Sequence, residues 1–152
     1  MSNLRDFLLP NEPTCIVACS GSEARLWKST TRFGEWQHLT ELQHPEAANR
    51  EAEFASDRPG RSFDSLGSGR HAMSQTHSGH EQELSRFAEE VANYINRSIA
   101  GGDFAHLVLI AEPRFLGYLR SKLSAAASTA VVMETSKNLV NLDAREIRKY
   151  FQ

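Results

Sequence analysis

The sequence predicts an α/β fold in which helices pack on a mixed five-stranded sheet, within a single domain that spans residues 1–152. Three observations lead to this prediction. Three short β-type segments follow one another near the amino end, one long amphipathic helix comes next, and strand and helix patterns then alternate. With 40% hydrophobic and 24% charged residues, the composition is typical of a globular domain that can bury a core.

The first strand is predicted from the apolar, β-branched run Thr14–Cys19, which follows a polar, proline-punctuated lead-in at residues 1–13. A turn at residues 20–22 leads to a second strand at Ala24–Lys28. After another turn, Trp36–Leu42 alternates well enough to be a third strand. Because short turns join these strands, we expect them to form an antiparallel meander.

The clearest helix is predicted over about His80–Ala100, because its apolar residues recur at helical spacing. Ser78, with Glu81 three residues later, fits a capping box at its start. Gly101 and Gly102 supply the stop at its carboxyl end. The apolar positions are Leu84, Phe87, Ala88, Val91, Ile95 and Ile99.

The last third of the chain alternates strands and helices. His106–Ala111 is continuously apolar, as a central parallel strand should be, and Pro113 suits the first turn of the helix that follows it. A fifth strand is predicted at Thr129–Met133. Asp143 and Glu146 form a second capping-box pattern, which predicts a short last helix.

This order of elements is the layout of a ribonuclease-H-like sheet, with spatial strand order 3-2-1-4-5 and strand 2 antiparallel, because αβ crossovers are right-handed. In that layout the carboxyl ends of strands 1, 4 and 5 meet at one edge. Open α/β sheets bind ligands at the edge where the strand order reverses. Residues 20–21, Glu112–Arg114 and Ser136–Asn138 should therefore share one surface.

A long loop between strand 3 and the first helix, from Gln43 to Ser78, is the most unusual part of the sequence. Loops longer than about 12–15 residues are uncommon in compact domains and are usually functional or disordered. Its segment Asp57–Met73 is rich in glycine and arginine and leaves from the ligand-binding edge, so we predict that it carries the function. The residues expected to give this loop its structure are Asp57, Pro59, Gly60, Phe63, Gly69 and Met73.

Basic residues of this loop and of the neighbouring turns are candidates for binding phosphate or RNA, since arginine forks and helix N-termini both suit phosphate. The alternative is that Asp57, Asp64 and Glu112 pair with the arginines and only fix the loop in place; the two interpretations are compatible. The net charge of −2 means that nucleic-acid binding needs a local basic patch. The candidates are Arg58, Arg61, Arg70, Arg114 and Lys137.

Asp64 and His71, with a loop serine, are ingredients of nucleophilic catalysis, so a small hydrolase is an alternative function. No Gly-x-Ser-x-Gly elbow accompanies them. His71, His77 and His80 lack the ligand spacing of zinc sites, and the last two are expected in solvent at the helix start. Strand 1 has no carboxylate of the kind that a ribonuclease H needs for its metal ions. We therefore predict neither a metal nor another cofactor, and whether the chain is an enzyme stays open.

The cysteines and tryptophans are predicted to be packing residues. Cys15 and Cys19 lie on one strand about 13 Å apart, whereas a disulfide needs Cα atoms within about 7 Å, so both should be reduced thiols in or near the core. Trp27 and Trp36, with Phe33, form an alternative stacking platform for bases, but packing in the core or against a partner is the favoured interpretation.

Localisation is predicted from two features that the sequence lacks. No apolar run reaches the roughly 18 residues needed to span a bilayer. The amino end does not contain the apolar stretch of about 7–15 residues that a signal peptide has. We therefore expect a cytoplasmic protein without a membrane partner.

Six motifs carry a resemblance to a known family over about Cys15–Phe151. With them, the chain resembles the family of host attachment proteins, also called proteins required for attachment to host cells. The family pattern usually has an aspartate before the glycine of the first turn, where this sequence has Ser20. The motifs are Gly21–Trp27, Ser56–Arg61, Phe63-Asp64, Gly69–Met73, Arg86–Ala88 and Pro113–Gly117.

That family is in turn similar to the central domain of archaeal and eukaryotic release factors and to proposed bacterial versions of it. The domain carries a Gly-Gly-Gln loop ahead of a long helix and uses it in peptidyl-tRNA hydrolysis. Here Gly67–His71 takes the analogous place, and Gly-Gly-Gln is absent. The resemblance implies a release-factor-like domain that contacts ribosome or tRNA through its Arg/Gly-rich loop. The alternative is a protein-interaction module, with a protein partner and an indirect role in host attachment or stress.

Overall fold

A computed structural model describes residues 7–44 and 69–151, with the backbone alone for residues 69–78 and 151. Within these ranges, the strands are β1 Thr14–Cys19, β2 Glu23–Ser29, β3 Gln37–Gln43, β4 His106–Ala111 and β5 Val131–Thr135. The helices are α1 Gly69–Ala100, α2 Pro113–Lys122, α3 Ala125–Ala130 and α4 Ala144–Arg148, and a 3-10 turn at Lys149–Phe151 follows α4.

The sheet has the predicted order β3-β2-β1-β4-β5. Its central strand, β1, is antiparallel to β2, with Thr14 opposite Ser29, and parallel to β4, with Thr14 opposite His106. β2 pairs antiparallel with β3, and β4 pairs parallel with β5. The ribonuclease-H-like arrangement is therefore confirmed, and the strand order reverses between β1 and β4.

Both faces of β1 are buried, which explains why its sequence is apolar throughout. Cys15, Val17 and Cys19 pack in the core that α1 and α2 cover, and both cysteines are free thiols, as predicted. The alternate residues Ile16 and Ala18 pack in a second core on the opposite face. Other members of that second core are Leu9, Trp27, Trp36, Met133 and Ile147.

Helix α1 begins at Gly69, well before its predicted start near His80. The Ser78–Glu81 capping box is therefore wrong, because both residues lie inside the helix. The prediction failed because the apolar periodicity begins only at Leu84, the first of the helix's described side chains to enter the core. The residues before it are mostly polar and have no 3.6-residue pattern.

This earlier start also changes the predicted loop between strand 3 and the helix. Its last residues, from Gly69 to Ser78, are helical, so Gly69 and Met73 do not structure a loop. Arg70 and His71 lie in the first turn of α1.

The fifth strand also differs from its prediction, since β5 runs from Val131 to Thr135 and Thr129 belongs to α3. That short helix is capped by Ser124, whose hydroxyl accepts a hydrogen bond from the amide of Ala127 at 3.1 Å. The hydroxyl of Thr129 donates to the Ala125 carbonyl at 2.9 Å. A β-branched residue thus completes a helical turn that the sequence pattern assigned to a strand. The Asp143–Glu146 capping box at α4 is confirmed.

The aromatic residues of the meander divide into two groups. Trp27 and Trp36 are buried, with ring centroids 6.1 Å apart, so the favoured packing interpretation is confirmed for both. Phe33, in contrast, is 81% exposed. Among the described helices, none is both long enough and apolar enough to cross a membrane.

Candidate binding cleft at the carboxyl edge of the sheet

A cleft of about 300 Å³ opens at the edge where β1 and β4 end, and we call it the switch-point cleft. The β1–β2 turn, helix α1 and the start of α2 form its walls. The predicted meeting of residues 20–21 with Glu112–Arg114 is confirmed, because both segments line it. Its lining residues are Ser20, Gly21, Ser22, His80, Leu84, Glu112, Arg114 and Phe115.

The β1–β2 turn packs closely against α1 because its central residue is glycine. A Cβ atom on Gly21 would lie 2.5 Å from Cδ2 of Leu84, so a larger residue would displace that leucine. The Ser20 amide donates to the Glu23 carbonyl at 2.8 Å, and the Ser22 amide donates to the Ser20 hydroxyl at 3.4 Å. The family pattern described above usually has an aspartate at position 20, and its carboxylate would accept the same bond. Ser20 therefore keeps the turn, and the cleft has one negative charge fewer than with an aspartate.

Glu112 joins the end of β4 to the segment that follows β5. It is the N-cap residue of α2, with extended backbone dihedrals, and Pro113 occupies the first turn. Its Oε1 accepts a hydrogen bond from Nδ2 of Asn138 at 3.0 Å. Asn138 therefore lies at this edge of the sheet, as predicted for the Ser136–Asn138 segment.

Arg114 is the basic candidate that lines the switch-point cleft. It lies in the first turn of α2, its side chain is exposed, and it forms no ion pair or hydrogen bond with the other residues that the structure describes. Glu112, its predicted alternative partner, bonds to Asn138 instead. The Nζ of Lys137 lies 4.9 Å from the ring centroid of Tyr150, and Lys137 is not part of the cleft lining.

The other predicted site residues stay predictions. Arg70 and His71 are placed by their helical backbone alone, and the catalytic role of His71 with Asp64 is therefore untested. The predicted residues that lie outside the described ranges are Asp57, Arg58, Pro59, Gly60, Arg61, Phe63 and Asp64.

His80 lines the cleft rather than lying in solvent at a helix start, because α1 begins a full three turns earlier. It adds an imidazole to the serine hydroxyls, the Glu112 carboxylate and the Arg114 guanidinium. Among the described residues, no three His, Cys, Asp or Glu side chains lie close enough together to hold a metal ion. The described part of the cleft is thus equipped with hydrogen-bonding groups and one available cation.

One polar cluster beside the cleft was missed by sequence reasoning. Glu83 is 2% exposed, and its carboxylate lies 2.6 Å from Nε2 of His44 and 3.4 Å from Nη1 of Arg86. The signal that could have found it is the position of Glu83, one turn before Phe87 on the buried face of α1. Carboxylates are almost never fully buried unless they are paired, so this position calls for a partner. The identity of that partner, His44, needed the tertiary structure.

Comparisons with known proteins agree with this architecture. A solved structure of an archaeal translation termination factor matches with a TM-score of 0.50 and 9% sequence identity, over 93% of this chain and 37% of that one. The chain thus spans little more than a third of that factor, and at this identity the likeness shows the fold alone. A search of curated proteins finds no match. A family model described as "Protein required for attachment to host cells" matches residues 15–151, and the chain therefore belongs to this family.

Proposed function

We propose that this chain is a cytoplasmic, release-factor-like module that contacts the ribosome or tRNA through the edge of the sheet where β1, β4 and β5 end. The Arg/Gly-rich segment that leads into α1 takes part in the same contact. The proposal assigns recognition of RNA and no ester hydrolysis, since the sequence has no Gly-Gly-Gln. The release-factor-like fold and the resemblance of the motifs support this assignment.

The observation that carries the proposal is that Arg114 is exposed and has no ion-pair partner among the described residues. Its guanidinium is exposed at the rim of a cleft, at the amino end of a helix, and no described carboxylate neutralises it. A free guanidinium binds phosphate through two parallel N–H···O bonds, and a helix N-terminus adds favourable partial charge. The serine hydroxyls of the β1–β2 turn, which line the same cleft, are further donors for phosphate or ribose oxygens.

Helix α1 supplies a second supporting argument. His80 and Leu84 mark where it passes the switch-point cleft, and eleven helical residues precede His80. At about 1.5 Å per residue, they carry Gly69 about 16 Å further along the helix axis. A helix that continues past the binding edge can reach a large RNA surface, and its first turn contains Arg70.

The test is co-sedimentation of the purified chain with ribosomes, beside a gel-shift assay with tRNA, at low and at physiological salt. Phosphate contacts weaken steeply with salt, so binding should be strongest at low salt. We expect Arg114→Ala to weaken it by about tenfold, and the pair Arg58→Ala/Arg61→Ala to weaken it further.

The matched control is Arg97→Ala, an exposed arginine near the carboxyl end of α1, far from the cleft, and it should bind like the parent. A parent chain that binds neither ribosomes nor tRNA at low salt contradicts the proposal. Equal losses of affinity for Arg114→Ala and Arg97→Ala would show that binding rests on nonspecific charge attraction, and would contradict a contact at the cleft.

A further inference from the structure

A second surface lies at the opposite edge of the sheet from the switch-point cleft. The β1–β2 turn forms part of the cleft, whereas the β2–β3 connection forms part of this second surface; because β2 spans the sheet between them, the two sites occupy opposite edges. The surface is a shallow groove of about 70 Å³, which we call the Phe33 groove. The lead-in segment, the β2–β3 connection and helix α4 line it through Phe7, Leu8, Leu9, Arg32, Phe33, Trp36 and Arg148.

The groove contains most of the large hydrophobic side chains that are exposed on the described surface. Three large hydrophobic side chains are exposed among the described residues, and two of them, Phe33 at 81% and Leu8 at 62%, line this groove. Leu9 and Trp36, both buried, form its floor. Clustered exposed apolar residues of this kind mark interaction sites more often than isolated ones do.

Hydrogen bonds hold the walls of the groove in place. Nε of Arg32 donates to the Leu9 carbonyl at 2.7 Å, and Nη2 of Arg148 donates to the Phe33 carbonyl at 3.2 Å. The Arg32 amide also donates to Oδ1 of Asn11 at 3.0 Å. The exposed Phe33 side chain therefore stands on a backbone that is fixed before any partner arrives, which lowers the entropic cost of binding.

The charge of the groove selects the chemistry of the partner. Two arginines and no carboxylate are found among the described residues that line it, although the whole chain has a net charge of −2. A guanidinium has five N–H groups, and each of these arginines uses one on the backbone carbonyl named above. The remaining groups are available to a ligand carboxylate beside the apolar wall.

We infer that the Phe33 groove binds an acidic segment of a partner protein that inserts an apolar side chain between Leu8 and Phe33. Of the three rings that line the groove, Trp36 is buried and Phe7 is half-buried, whereas RNA sites of this type stack bases on exposed aromatic platforms. An acidic protein segment is therefore favoured over single-stranded RNA. Here the one exposed ring stands beside leucines. The groove would let the chain hold a protein at one edge of its sheet while the switch-point cleft stays open at the other.

The test is selection from a random peptide library displayed on phage, with the intact chain as bait and a Phe33→Ala chain as the counter-bait. Because Phe33 is exposed, that variant should fold like the parent, and thermal unfolding checks this. We expect enriched peptides that combine Asp or Glu with a large apolar residue. Synthetic versions should bind the parent chain and lose about tenfold in affinity with Phe33→Ala or Arg148→Glu.

Two matched controls keep the result specific. Val132→Ala removes the third exposed apolar side chain, and Arg145→Glu makes the same charge change on the same helix outside the groove; both should bind like the parent. Enrichment of basic peptides, absence of any enrichment, or equal binding to Phe33→Ala overturns the inference. Binding of fluorescent oligouridine that depends on Phe33, without a peptide, would assign the groove to RNA and overturn it as well.

Discussion

Nε2 of His44 lies 2.6 Å from Oε2 of Glu83, and this contact ties the residue after β3 to the long helix. The two side chains are 13% and 3% exposed, and the imidazole stacks on Phe87 with ring centroids 5.7 Å apart. The His44 amide also donates to the Ser22 carbonyl at 2.9 Å. One histidine thus links the meander, the cleft turn and α1, and this link fixes the distance between two walls of the cleft.

Removing this histidine should destabilise the fold. In His44→Ala, the buried Glu83 carboxylate loses its 2.6 Å contact with the imidazole, and Phe87 loses the ring that stacks on it. We expect the free energy of unfolding to fall by about 1–3 kcal/mol, because losing a charge-assisted hydrogen bond to a buried carboxylate is costly. Urea denaturation measures it.

The control for that change is His38→Ala. His38 is half exposed and lies 3.7 Å from Glu41, so its loss should cost less than about 0.5 kcal/mol. Similar falls in the free energy of unfolding for the two variants would show that the buried His44–Glu83 pair stabilises the fold no more than the exposed His38–Glu41 pair.

Two glycines should respond differently to alanine. Gly21→Ala places a Cβ atom 2.5 Å from Cδ2 of Leu84, whereas a Cβ atom on Gly117, inside α2, meets nothing within 4 Å. We expect Gly21→Ala to cost about 1–2 kcal/mol because the buried Leu84 must shift. Gly117→Ala should be neutral or stabilising by up to about 1 kcal/mol, since alanine is the better helix former. Thermal unfolding measures the stability of both variants relative to the parent chain. Equal stabilities of the two variants would contradict the close packing of the turn.

The buried thiols should make stability sensitive to alkaline pH. Burial raises the pKa of Cys15 and Cys19 far above their ordinary value of 9.0, and in Cys19 the nearby Cys15 adds to the effect. Above the ordinary pKa of 9.0, the thiols ionise in the unfolded chain but stay protonated in the native chain. The unfolded state therefore binds fewer protons than the native state. The free energy of unfolding should therefore fall as the pH rises, by about 1 kcal/mol per thiol between about pH 8 and about pH 10.

Urea unfolding as a function of pH measures this fall, and Cys19→Ala, which removes one thiol, should show a shallower slope than the parent. A thiol reagent should leave both cysteines unmodified in the native chain and modify them in urea. Rapid labelling of the native chain at about pH 8 would contradict the burial of β1.

The capping box of α4 should stabilise the fold, because this helix packs in the second core. Oδ1 of Asp143 accepts from the Glu146 amide at 2.9 Å, and the Glu146 side chain accepts from the Asp143 amide at 3.3 Å. Asp143→Ala should cost about 1 kcal/mol, because α4 positions the buried Ile147 against the sheet. Asn141→Ala, an exposed change just outside the helix, is the control for urea unfolding and should leave the midpoint unchanged. A capping variant as stable as that control would mean that the cap is dispensable.

The bounds of the central strands could be predicted from the sequence, because burial on both faces requires a continuous run of apolar residues within each strand. β1 and β4 are buried on both faces, so their residues are continuously apolar, and the predicted bounds Thr14–Cys19 and His106–Ala111 are those of the structure. The start of α1 could not be predicted in the same way, because the residues before Leu84 have no apolar periodicity. A serine and a glutamate three residues apart then gave a capping-box pattern inside a helix.

The candidate site was predictable to the level of segments. Topology alone brought residues 20–21 and Glu112–Arg114 to one edge, and both segments line the cleft. The partners of individual side chains were not predictable, since the pairs His44–Glu83 and Glu112–Asn138 join residues far apart in the chain. No local pattern encodes such pairs.

The position of β1 between β2 and β4 has a consequence for how the chain is synthesised. The strands β1, β2 and β3 are complete by residue 43, yet β4, the parallel neighbour of β1, begins only at residue 106. Until β4 emerges, one side of an apolar, β-branched strand presents unpaired backbone groups, which are a template for pairing with other nascent chains. Assembly therefore waits for a contact between distant parts of the chain, and such contacts slow folding. The half-built meander is accordingly the species that chaperones would need to shield during translation.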